Sequence, residues 1–163
     1  MTAAGKLRDR ASARPLSKQR LRLWLRLLRA ARAIEADLRE KLRKDFAITL
    51  PQFDVMAALA RHEDGINMTE LSRMLMVSNG NVTGIIDRLT AENLVQRQAP
   101  ASDRRSFIVR LTPKGAAHFA VIAKAHEGWI DQLLAGFDAA ESEALIEQLG
   151  ALGAGGHKDG AHA

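Results

Sequence analysis

The chain has no cysteine and no tyrosine among its 163 residues. The first absence excludes a disulfide scaffold, a thiolate metal site, a cysteine nucleophile and thiol-based oxidation sensing. It also suits a reducing compartment. Aromatic residues make up only 4% of the chain, too few for a platform that stacks single-stranded bases. No uninterrupted apolar run approaches the roughly 20 residues of a membrane span. The first 20 residues, MTAAGKLRDRASARPLSKQR, lack the apolar core of a signal peptide. The expectation is a cytoplasmic protein with no membrane partner. Catalytic signatures are missing as well: there is no nucleophile elbow, phosphate loop or His-Glu metal motif, so no enzyme, catalytic residue or cofactor is expected. His62, His118 and His126 are scattered, and His157 and His162 stand five apart, off a common helical face. No metal site is expected from them.

What is present is enough for a packed core without staples. Hydrophobic residues are 47% and charged residues 26%, as in ordinary globular proteins. The net charge of +5 is unevenly placed. Through Lys44 there are 14 Lys and Arg against 4 Asp and Glu; the rest of the chain holds 10 against 15. A second basic excess comprises Arg97, Arg104, Arg105, Arg110 and Lys114, with Asp103 among them. Clusters of this kind suit polyanions.

Residues 1–15 read as a disordered basic arm. From Leu16 to about Asp45, Leu21, Trp24, Leu28, Ala31, Ile34, Leu38 and Leu42 recur at steps of three and four, the stripe of a long amphipathic helix. Its length exceeds what a small domain covers, and the excess suits packing against a second chain. Thr49 to Gln52 reads as a capping box with Pro51 in the first turn, opening a short buried helix with Phe53 and Met56. Asn67 to Glu70 repeats the cap-plus-acid pattern before Leu71, Met74 and Leu75. Ser78 caps the next helix, whose inner side is Val82, Ile85, Ile86 and Leu89. Two short helices this close form a helix-turn-helix. Val95–Gln98 and Ser106–Leu111 then read as strands joined by a polar, cationic loop. Thr112 and Pro113 start another helix, running to about Gly136. Asp138 and Glu141 begin the last, which carries Leu145, Ile146 and Leu149. Residues 151–163 read as a disordered tail.

A helix-turn-helix followed by a basic hairpin is a winged helix, so the expected fold is mostly α with a small β-hairpin wing. Such proteins place their second helix in the major groove. Here its outer side offers Ser78, Asn79, Asn81, Thr83 and Arg88. Asparagine pairs bidentately with adenine edges, and threonine contacts base edges or a thymine methyl. In the wing, Arg104 and Arg105 suit a narrow, negative minor groove. Asp103 is better placed to hold an arginine fork than to meet phosphate.

The stretch from Leu71 to Gly115, LSRMLMVSNGNVTGIIDRLTAENLVQRQAPASDRRSFIVRLTPKG, resembles the core of the MarR family of bacterial transcriptional regulators. The Asp103-Arg104-Arg105 wing followed by Leu-Thr-Pro-Lys-Gly is the most specific part. The resemblance extends over residues 16–150 and includes ITLPQFDVMAAL at 48–59. It implies a DNA-binding region at 49–112 flanked by dimerisation helices at 16–45 and 113–150. It further implies a homodimer that binds a pseudo-palindromic double-stranded operator, usually as a repressor released by a small ligand. The recognition helix would then contain Ser78, Asn79, Asn81, Thr83 and Arg88, and the wing Asp103, Arg104 and Arg105.

The family's ligand pocket implies Trp24, Leu28, Phe46, Phe53 and Met56 as candidate walls, with Arg22, Arg26 and Arg29 available for an anion. The expected effector is a small anionic aromatic or phenolic acid, or its acyl-CoA thioester. The cationic first helix and the Ser-Asn-Gly-Asn-Val-Thr-Gly segment are similar to the branch that responds to hydroxycinnamoyl-CoA thioesters. The competing reading is a non-specific architectural DNA-binding protein. It would account for the basic first quarter but has no need of an asparagine- and threonine-bearing recognition helix.

Overall fold

The computed structural model describes residues 15–98 and 107–155, with side chains placed through Leu152. The chain divides into two units, Met1–Ala123 and Lys124–Ala163. The elements are α1 (Leu16–Phe46), α2 (Leu50–Ala60), β1 (Ile66–Asn67), α3 (Met68–Leu75), α4 (Asn79–Ala91), β2 (Val95–Gln98), β3 (Ile108–Leu111), α5 (Pro113–Leu133) and α6 (Ala139–Gly155). The last ten residues of α5 belong to the second unit.

Capping sets most helix starts. Thr49 Oγ1 accepts from the Gln52 amide at 3.3 Å, and Gln52 Oε1 accepts from the Thr49 amide at 2.8 Å, so both members of the expected capping box are made. Asn67 accepts from the Glu70 amide at 2.8 Å and starts α3. The Asp138 carboxylate accepts from the Glu141 amide at 2.9 Å, and the Glu141 carboxylate accepts from the Asp138 amide at 3.0 Å, which starts α6. Two helices end on a residue in the left-handed region, Ala47 after α1 and Met76 after α3.

The core of the first unit is assembled from all of its short elements. Val55, Met56 and Leu59 of α2 meet Leu71 of α3, Val82, Ile86 and Leu89 of α4, and Val95 and Val109 of the sheet. Each such side chain taken fully from water stabilises the fold by about 1.5–3 kcal/mol. The sheet is antiparallel in the order β1-β3-β2. Ile66 pairs with Val109, an edge strand that the sequence pattern did not signal because two residues show no alternation. On α3 the buried positions are Leu71 and Ser72, whereas Met74 is exposed, contrary to the expected apolar face. The Ser72 hydroxyl is satisfied locally by donating to the Met68 carbonyl at 2.8 Å.

The helix-turn-helix is locked to α5 by the Leu-Thr-Pro-Lys-Gly segment. Thr112 donates from its amide to the Leu94 carbonyl at 3.0 Å and from its hydroxyl to the Asn93 carbonyl at 2.8 Å. Its hydroxyl also accepts from the Gly115 amide at 2.9 Å, and Lys114 Nζ donates to the Glu92 carbonyl at 2.8 Å. A Cβ on Gly115 would stand 1.9 Å from the Leu94 carbonyl oxygen, so only glycine permits this approach.

On α1 only Leu38 and Leu42 are buried, and Leu21 and Trp24 are each 57% exposed, in keeping with a helix longer than a small domain covers. One expectation needs correction. The last helix continues through Gly155 rather than stopping at a tail from 151, since Ala151, Leu152 and Ala154 are strong helix formers. Of the expected basic arm, residues 1–14 lie outside the described residues, as do residues 156–163 of the tail.

Candidate nucleic-acid interface

Local chemistry fixes the turn between α3 and α4. Met76 closes α3 at φ 53°, the Val77 amide donates to the Ser72 carbonyl at 3.1 Å, and Ser78 Oγ accepts from the Asn81 amide at 3.4 Å. Ser78 is therefore an N-cap. Val82, Ile86 and Leu89 hold one side of α4 in the core, with Ile85 half-buried beside them.

That anchoring leaves the opposite side of α4 in solvent. Asn79, Asn81, Thr83 and Arg88 are all exposed, as the sequence reading requires of base- and phosphate-contacting groups. The Thr83 hydroxyl donates to the Asn79 carbonyl at 2.9 Å, so the proton is used within the helix while its lone pairs and methyl stay available. Gly80 and Gly84 share this region, and a Cβ at either would meet nothing within 4 Å. No packing within the chain requires glycine there, although each costs a helix up to about 1 kcal/mol relative to alanine. A cleft of about 560 Å³ runs between this surface and the start of α2, bordered by Pro51, Gln52, Asn81 and Arg88.

Strand β2 is held against α4. Arg97 of β2 bonds Asp87 of α4 at 2.5 Å. No sequence pattern signals this pair, whose members stand ten apart on elements of different period. Residues Asp103, Arg104 and Arg105, expected to form the wing tip, lie outside the described residues.

The candidate ligand residues are not brought together. Phe53 and Met56 are core, with Phe53 packed on Phe119 at a ring-centroid distance of 5.7 Å. Phe46 is half-buried at the end of α1, and Leu28 is half-buried near its middle. Trp24, Arg22, Arg26 and Arg29 are exposed. Trp24 and Phe46 are separated by 22 positions of one helix, roughly 33 Å at about 1.5 Å per residue, so within one chain they line no common cavity. Among the described residues no cluster of His, Asp and Glu suits a metal, and no helix is long and apolar enough to cross a membrane.

Comparison with known proteins agrees with this geometry. Residues 48–107 match the model of the MarR family. The chain is 25% identical over 138 residues to the HTH-type transcriptional regulator MhqR of Bacillus subtilis, covering 85% of this chain and 94% of that protein. Among solved structures it is similar to a mutant MarR from E. coli complexed with operator DNA (TM-score 0.72, 25% identity, 85% of this chain and 99% of that one). It is similar also to Bordetella bronchiseptica BpsR, in a study of how 6-hydroxynicotinic acid regulates DNA binding (TM-score 0.71, 26% identity, 81% and 98%).

Proposed function

We infer that the chain belongs to the MarR family of winged-helix transcriptional regulators, and we propose that it is a dimeric repressor released from a pseudo-palindromic operator by a small aromatic acid. Family members bind operator DNA as dimers and are not enzymes. The observation that carries the reading is the exposed face of α4, where Asn79, Asn81, Thr83 and Arg88 stand clear on a helix fixed from behind by Val82, Ile86 and Leu89. In this reading α4 enters the major groove, its asparagines read base edges, and Arg104 and Arg105 meet the minor groove.

Dimer formation is supported by apolar surface at both ends of the chain. Leu21, Leu23 and Trp24 are exposed on α1, and Ile146, Leu149 and Leu152 are exposed on α6. Burying them against a second copy removes that surface from water. The dimer also gives two recognition helices, whose spacing must match successive major grooves about 34 Å apart.

An aromatic acid is supported by BpsR, a protein of similar fold whose DNA binding is regulated by 6-hydroxynicotinic acid. Such a ligand releases DNA through its differential affinity for the free and bound states. A coupling of about 1–3 kcal/mol changes operator affinity roughly 5–150-fold. A CoA thioester is the alternative effector; it would need several of the α1 arginines for its phosphates.

Selection from random duplex DNA tests the proposal. A two-fold-symmetric consensus bound by a sedimenting dimer supports it. Enrichment of no sequence would favour the architectural reading.

A further inference from the structure

Away from α4, one face of the sheet turns toward the end of α2 and the start of α5. There the chain leaves an open cleft of about 410 Å³, within the range of small-molecule sites. Its apolar wall includes Leu59, Leu111 and Phe119. Gln96 and Arg110, opposite each other in the β2–β3 register, supply its polar side. With the Gln96 amide oxygen turned toward Arg110, that oxygen accepts from Nε at 2.5 Å and from Nη2 at 3.0 Å. A neutral amide orients the guanidinium and leaves its charge uncompensated; no ion pair of Arg110 occurs among the described residues.

The other polar wall is His62. Its Nδ1 lies 2.8 Å from the Ala58 carbonyl oxygen and therefore donates to it. In the neutral ring this leaves Nε2 as an acceptor, suited to a ligand hydroxyl. Glu63 is the only carboxylate among the lining residues. Arg110 is the single Lys or Arg side chain of the lining and its partner Gln96 is neutral, so the cleft suits a ligand of one negative charge and not the several phosphates of a CoA thioester.

We propose that this cleft is the effector site, and that it takes a monocyclic aromatic monocarboxylate. The carboxylate pairs with Arg110, the ring lies against Phe119 and Leu59, and a ring hydroxyl, where present, bonds Nε2 of His62. The proposal rests on the effector-released reading above and moves the anion's counter-charge from α1 to β3. It also supplies a route to DNA. Arg110 and Gln96 lie on the two strands joined by residues 99–107, which include Arg104 and Arg105, so a ligand that draws Arg110 from Gln96 acts on the strands that carry the proposed wing.

Calorimetric titration of the full-length protein with benzoate, 4-hydroxybenzoate and benzamide tests the site, and operator mobility shifts in the same ligands test its role. Benzamide, which lacks the charge, should bind at least about tenfold more weakly than benzoate. Arg110→Gln should weaken benzoate by a similar factor, and Ala116→Phe, which fills the cleft without touching a charge, should abolish its binding. Arg26→Gln on α1 should leave it unchanged. Both cleft variants should bind operator like wild type but no longer release it. If benzoate does not bind, or if it binds Arg110→Gln and Ala116→Phe like wild type, the site assignment is overturned. Release of wild type by benzoate that Arg26→Gln alone abolishes would overturn the assignment while leaving the effector-released reading intact. Binding in the cleft with no effect on the operator complex would uphold the site and defeat the effector-released reading.

Discussion

Asp87 of α4 and Arg97 of β2 form a direct ion pair at 2.5 Å, tying the helix to the strand. Asp87 is more than half exposed, so screening keeps the pair's contribution to stability small. A double-mutant cycle of Asp87→Ala and Arg97→Ala by urea unfolding should return a coupling of about 0.2–1 kcal/mol. The same cycle read by operator binding should give a larger coupling, because the pair fixes the wing strand relative to α4. Additive effects on binding would remove the pair from the DNA-bound geometry.

Among the described residues, Gly115 should be the least replaceable glycine. Its Cβ would fall 1.9 Å from backbone, with no flexible side chain to move aside. Gly115→Ala should cost about 3 kcal/mol or more, read as a fall in the denaturation midpoint. A loss under about 1 kcal/mol would mean that the junction of α4 and α5 relaxes freely.

Gly84 should behave in the opposite way. Open space surrounds its Cβ position, and it lies within a regular helix. Gly84→Ala should stabilise the free protein by about 0.5–1 kcal/mol while weakening operator binding, if the bare backbone serves close approach to DNA. Thermal unfolding and mobility shifts on the same variant check both signs. A variant that is more stable and binds equally well would show that this glycine has no role at the DNA.

Asp54 should make stability depend on pH. The residue is exposed, and partial desolvation, with the charge of Glu35 second, raises its carboxyl above the usual 3.8. The folded state therefore holds this proton more tightly than the unfolded chain. Its contribution favours folding in acid, falls as pH rises from 3.8 through the raised native value, and leaves its full penalty at neutral pH. Asp54→Asn should accordingly raise the urea midpoint at pH 7, with the gain over wild type shrinking as pH drops toward 3.8. A gain that does not vary with pH would assign the effect to packing.

Features written in contiguous residues were legible before the structure. The Thr49–Gln52 capping box, the Ser78 cap and the buried stripe of α4 all follow from spacing within one helix. The Thr-Pro-Lys-Gly motif signalled a helix start, but its tie to Glu92–Leu94 needed the fold. Features assembled across segments were not legible. His62, Gln96 and Arg110 come from a helix end and two strands, and no periodicity relates them. Conversely, Trp24, Phe46 and Phe53 look close as a list of aromatics, yet the rigid rise of α1 separates the first two.

The central claim is that α4 reads sequence rather than merely holding phosphate. The most direct measurement is the affinity of Asn81→Ala for the selected operator and for unrelated duplex DNA, both at one salt concentration. Asn81 is exposed and its backbone amide serves the Ser78 cap, so the side chain can be removed without disturbing the helix. The account expects a loss of about 1–3 kcal/mol on the operator and almost none on unrelated DNA. An equal loss on both, or no loss on either, would contradict it.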